Sequence, residues 1–151
     1  MVEREVAMQL KGLNHRVKQM MQEKIDEYGL TFGQLHLMML IEKYPDSNQK
    51  DLAEEMKFTQ GAMSSVVKRL LNLNMLKQVP LELDMRYNRL VITEKGQSMI
   101  DNYKEELYTK YKNMFSNFTH IELEELNNYL IKINNNLDSM NKSNNDKNLQ
   151  V

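Results

Sequence analysis

Gln60, Gly61, Ser64, Ser65 and Lys68 recur at i, i+1, i+4, i+5 and i+8, a spacing that gathers them on one stripe of a helix. Every one of them is small or hydrogen-bonding. A Gln amide can pair bidentately with adenine, and a Ser hydroxyl can donate or accept at either base edge. Gly61 lets a backbone approach phosphate closely. A solvated helix face without such a duty usually carries Glu–Lys pairs instead. The stripe taken alone is also compatible with an ordinary wet face. Its surroundings favour a polyanion. No Asp or Glu occurs from Lys57 to Leu81, where Lys57, Lys68, Arg69 and Lys77 supply four positive charges.

A second constellation follows. Asp84 and Arg86 are two residues apart in an extended segment, so their side chains project the same way. The carboxylate can then orient the guanidinium toward a narrow A·T minor groove, while Arg89 can add a phosphate contact. The competing reading is a surface ion pair worth under ~1 kcal/mol. Charge is polarised along the chain: residues 47–93 hold seven basic and five acidic groups, whereas 1–46 hold six and seven and 94–151 hold seven and nine. The overall balance is 20 Lys+Arg against 21 Asp+Glu, so the basic excess is local, which is all that counterion release requires.

Helices must carry these groups. Val6, Leu10, Leu13, Val17, Met20 and Ile25 fall at helical spacing and stop at Tyr28-Gly29. Thr31-Phe32-Gly33-Gln34 is a capping box with Leu30 and Leu35 placed as its staple, opening a helix that breaks at Tyr44-Pro45. Ser47 is expected to cap a short helix bearing Leu52, Ala53 and Met56. Phe58-Thr59 closes it and caps the next, which buries Met63, Val66, Val67, Leu70 and Leu71 and ends near Asn74. A small residue at the crossing (Ala53), a plug in the turn (Phe58) and anchors at Met63 and Val66 are what a helix–turn–helix needs.

The period then changes. Met75–Val79 and Tyr87–Ile92 read as strands around the long tip Pro80–Arg86. Thr93 caps a long helix with Met99, Ile100, Tyr103, Leu107, Tyr111 and Met114. Thr119-His120-Ile121-Glu122 is a second capping box before a last helix bearing Leu126, Leu130, Ile133 and Leu137. From Asn141 the chain reads as a flexible tail. The fold class expected is mainly α with a small β-hairpin wing: a winged helix–turn–helix with long N- and C-terminal helices.

Other chemistries lack their residues. There is no cysteine, so disulfides, thiolate metal sites and Cys nucleophiles are excluded. His15, His36 and His120 are far apart, and no HExxH, GxSxG or P-loop pattern occurs. Not an enzyme, with no cofactor and no metal, is therefore the expectation; a metal-responsive regulator using His120 and Glu124 is a weaker alternative. Leu37–Ile41, the longest apolar run, is far short of the ~20 residues of a membrane span, and the mixed-charge N-terminus resembles no secretory signal. A cytoplasmic protein that avoids membranes is expected. Met20, Met21, Met38, Met39, Met56 and Met63 read individually as adaptable core filler; together they leave open a loosely packed cavity for an apolar effector.

The stretch Leu30–Gly96 resembles the multiple-antibiotic-resistance regulator (MarR) family. The matching pieces are LTFGQLHLMML, QKDLAEEM, FTQGAMSSVVKRLLNLNML, the D-M-R of the wing and the closing VITEKG. Asn74 stands where that family usually has Gly, and Gln78 where it often has Arg. The resemblance implies a homodimeric repressor of a short pseudo-palindromic operator, with the terminal helices as a dimerisation layer and release by a small ligand in many members. On this reading residues 1–140 are one MarR-like domain: 30–96 the DNA-binding unit, 1–28 and 97–138 the dimerisation helices, and 141–151 a tail. The candidate DNA contacts are Lys50, Thr59, Gln60, Gly61, Ala62, Ser64, Ser65, Lys68, Arg69, Asp84, Arg86 and Arg89. Val6, Leu10, Leu13, Leu126, Leu130, Ile133 and Leu137 would dimerise. The partners expected are double-stranded DNA, a second copy of the chain and a small apolar or aromatic effector. A winged-helix interaction module that binds no DNA is the runner-up.

Overall fold

The computed structural model describes residues 1–81 and 84–148, with the backbone alone at 81, 84–88 and 143–148. Its elements run α1 (Val2–Glu27), α2 (Phe32–Lys43), α3 (Gln49–Met56), α4 (Gln60–Asn72), β1 (Leu76–Leu81), β2 (Asp84–Ile92), α5 (Glu94–Met114) and α6 (His120–Asn148). The chain divides into two compact units, Met1–Leu107 and Tyr108–Val151.

In the first unit α2 is the hub. Leu35, Leu37, Met38, Leu40 and Ile41 are all buried, so this helix is apolar on most sides and is surrounded by α1, α3, α4 and β2. Ile25, Leu52, Met63, Leu70, Leu90, Ile100 and Tyr103 complete the core. The capping box at its start forms as the residue types require. The Gln34 N–H donates to Thr31 Oγ1 at 3.3 Å, and the Thr31 N–H donates to Gln34 Oε1 at 2.9 Å. Ala53 is buried where α3 meets α4. Phe58 packs partly buried against the core, and its ring lies 3.4 Å from where a Cβ on Gly33 would stand, which places the plug against the start of α2.

The cap of α3 is one residue later than the sequence suggests. Asn48, in an extended conformation, accepts the Asp51 N–H at 2.8 Å; Ser47 lies outside the three-residue reach that an N-cap needs. The wing also differs in extent. β1 and β2 pair antiparallel from Leu76↔Ile92 to Pro80↔Asn88, shift register between Pro80 and Leu81, and still pair Leu81 with Asp84. The strands thus consume most of the tip expected at 80–86, leaving Glu82 and Leu83 outside the described residues. Pro80 is tolerated because a strand at a sheet edge can forgo an N–H.

In the second unit, Thr119 caps α6: the Glu122 N–H donates to its Oγ1 at 3.2 Å, and the Thr119 N–H donates to Glu122 Oε2 at 2.7 Å. The Thr119 N–H bond holds the Glu122 carboxyl below its usual range. Phe115 and Phe118 meet edge to face. α6 continues to Asn148, past the start of the tail expected at Asn141. No Gly or Pro follows His120 to interrupt it.

Candidate nucleic-acid interface

The N-terminus of α4 is set by Thr59, whose Oγ1 accepts the Ala62 N–H at 3.2 Å. From there the helix divides cleanly. Met63, Val67 and Leu70 are buried, while Gln60, Gly61, Ala62, Ser64, Ser65, Lys68 and Arg69 are exposed. Lys50, on α3, is exposed as well. Gln60 and Ser64 border a concavity of about 460 Å³ whose lining includes Ala53 and Met63, with Lys50 and Gln49 from α3. The described surface of this stripe therefore offers amide, hydroxyl and ammonium groups around a shallow apolar floor. Gly61 has open space where a Cβ would stand.

Gln78 of β1 lines the same concavity. In the sequence it stands out only as a departure from a family pattern. Strand alternation puts Gln78 on the same face as the buried Leu76, but nothing local says that this face adjoins α4 once it leaves the core.

The wing residues divide. Asp84 and Arg86 have their backbone in β2, and their side chains lie outside the described residues. Arg89, expected to add a phosphate contact, is engaged within the fold. Its Nε donates to the Pro45 carbonyl at 2.9 Å, its guanidinium is 3.4 Å from Asp46, and its backbone bridges Asn48. The reason is topological: β2 runs alongside the α2–α3 connection, whose unpaired carbonyl needs a donor. Arg89 ties the wing to the helix–turn–helix.

The far end of α4 is held by the start of α5. Asn74, at φ 56°, makes the left-handed turn, and its carbonyl accepts Thr93 Oγ1 at 2.6 Å. The Thr93 N–H donates to Met75 O at 3.1 Å, and Lys95 Nζ to Leu73 O at 2.9 Å. Thr93 Oγ1 also caps α5 by accepting the Gly96 N–H at 3.1 Å. Gly96 must lack a side chain, because a Cβ there would collide with the Met75 carbonyl. α5 is clamped in turn. Glu42 of α2 receives Lys104 Nζ and, at 3.0 Å, Gln97 Nε2. Lys104 and then Gln97 hold its carboxyl below the usual range, against an opposing effect of burial. Lys24 of α1 bridges Glu106 and Glu27, each at 2.7 Å, and the Glu106 bond is the main reason its ammonium is held above the ordinary lysine range.

Of the apolar residues expected to dimerise, Val6, Leu13, Leu130 and Leu137 are 46%, 50%, 38% and 50% exposed; Leu10, Leu126 and Ile133 are half-buried. His120 stands exposed at the start of α6 with Nε2 3.1 Å from Glu124. Among the described residues no group of three or more His, Asp or Glu could hold a metal ion. No described helix is long and apolar enough to cross a membrane.

Comparison with known proteins bears on this arrangement. Residues 28–86 match the MarR family. No curated protein matches the chain in sequence. Solved structures do match in fold. YusO from Bacillus subtilis is 19% identical with a TM-score of 0.79, covering 89% of this chain and 95% of its own. A MarR family protein from Bacillus stearothermophilus is 22% identical with a TM-score of 0.75, covering 91% and 99%. The Staphylococcus aureus MepR–DNA complex is 17% identical with a TM-score of 0.73, covering 87% and 98%.

Proposed function

We infer, from the match of residues 28–86 to the MarR family, that this protein is a DNA-binding transcriptional regulator and not an enzyme. One observation carries the reading: α4 turns an exposed stripe of Gln60, Gly61, Ser64, Ser65 and Lys68 outward while its other face anchors the core. MepR, one of the structural neighbours, is solved in complex with DNA, which agrees with that use of the stripe. In this reading α4 enters the major groove, Lys50, Thr59, Ala62 and Arg69 border it, and the wing with Asp84 and Arg86 reaches the minor groove.

The finer assignments belong to the same proposal. The protein acts as a homodimeric repressor on a pseudo-palindrome. The exposed apolar residues of α1 and, separately, of α6 support a second copy as the cover. Release by a small apolar or aromatic effector belongs to the same reading, with adaptable Met21 and Met39 packed partly buried against the core.

A salt titration tests the reading. Duplex affinity should fall steeply as ionic strength rises. Lys68→Glu should abolish binding in a mobility-shift assay while leaving the thermal melt nearly unchanged. Wild-type protein with no measurable duplex binding would favour the interaction-module alternative.

A further inference from the structure

We propose that Lys57 is a phosphate contact of the reading helix, retained in a conformation that disfavours it because its charge serves DNA. The inference rests on the regulator reading above and adds a residue to it.

Among the described residues three have positive φ: Gly29 at 66°, Lys57 at 54° and Asn74 at 56°. Glycine adopts this region freely, and asparagine tolerates it. Lysine does so only at a cost, and such strain persists where the surroundings dictate it. Here they do. The Lys57 N–H donates to the Ala53 and Glu54 carbonyls, and the Phe58 N–H donates to Ala53 O at 2.9 Å, closing the turn that lets Phe58 plug and Thr59 cap. The turn thus demands a left-handed residue, and glycine would meet that demand without strain.

What lysine adds over glycine is its side chain, and that side chain is turned to solvent. It is exposed, and no side-chain hydrogen bond or ion pair ties it to another described residue. Its position is informative. Lys57 lies two residues ahead of the Thr59 cap and opens the acid-free run that extends to Leu81. An ammonium on a flexible four-carbon stem is a compact point charge suited to phosphate rather than to base edges. At the entrance of α4 it would meet the backbone flanking the groove.

The test compares the full chain with Lys57→Gly, Lys57→Gln and Lys57→Arg by fluorescence anisotropy on a duplex selected from a random library and on a random duplex. Binding is followed across salt concentrations, and each protein is also melted. Lys57→Gly should melt higher than wild type yet bind several-fold more weakly, to selected and random duplexes alike. The slope of log affinity against log salt should be shallower by about one. Lys57→Gln, which keeps the strained backbone without the charge, should match that binding loss with a wild-type melt. Lys57→Arg should restore both affinity and slope. If Lys57→Gly and Lys57→Gln bind with wild-type affinity and slope, the assignment of Lys57 is wrong while the regulator reading stands. If the wild type itself binds no duplex, both fall.

Discussion

Two left-handed turns bracket α4, and they are secured in opposite ways. The one at its C-terminus, centred on Asn74, is enclosed: Thr93 and Lys95 supply donors to the carbonyls of Leu73, Asn74 and Met75, and Gly96 closes against the Met75 carbonyl. The one at its N-terminus, centred on Lys57, is held by its own backbone bonds and leaves its side chain to solvent. The helix is anchored at the end that faces the rest of the unit and presented at the end that bears Gln60 and Ser64. The anchoring bonds thus gather at one end of these thirteen residues, while Met63, Val67 and Leu70 hold the inner face along their length.

The sharpest way to break that contrast is to crowd the enclosed turn. Gly96→Ala forces a methyl into a backbone carbonyl, and the expected loss is about 2–4 kcal/mol, seen as a lower urea midpoint at unchanged slope. Thr93→Val keeps the shape but removes both the α5 cap and the bond to Asn74 O, for about 1–2 kcal/mol in the same assay. The presented turn should answer in the other direction, with Lys57→Gly gaining about 1 kcal/mol because glycine carries no left-handed strain.

The smallest effect belongs to Glu42, whose links to Lys104 and Gln97 hold α5 in place behind the enclosed turn. Its carboxyl titrates lower in the folded chain than its ordinary value of 4.5. The contribution is therefore fully present above the unfolded value and is lost as pH falls through the lowered folded one. Glu42→Gln should cost under about 1 kcal/mol near neutrality. Urea midpoints below pH 4.5 should then converge on those of wild type; equal separation at both pH values would show that the charge is not what matters.

Much of this is legible in the sequence. Thr31 with Gln34, Thr59, Thr93 and Thr119 with Glu122 act as caps where their spacing predicts, because a cap is decided within three residues. Ala53, Met63 and Leu70 are buried because period and residue type agree. The stripe on α4 is exposed for the same reason. What a sequence cannot supply is contact between distant segments. Arg89 looks like any cation on a strand until the Pro45 carbonyl, 44 residues earlier, arrives beside it. Gln78 joins the Gln60 concavity only through the way β1 returns past α4. Lys57 is hidden on other grounds: residue type argues against a left-handed turn there, and tertiary closure around Phe58 overrides it. The shift of the α3 cap from Ser47 to Asn48 is a choice between neighbouring good cappers, which propensity does not resolve.

The bridge between Asn48 and Arg89 has a consequence for solubility. A two-stranded ribbon has two open rims, each a template for strand addition by another molecule. Along β2 the bridge to Asn48 occupies part of one rim, and β1 has one N–H fewer to offer, at Pro80. The described part of the ribbon is thereby less open to recruiting further strands.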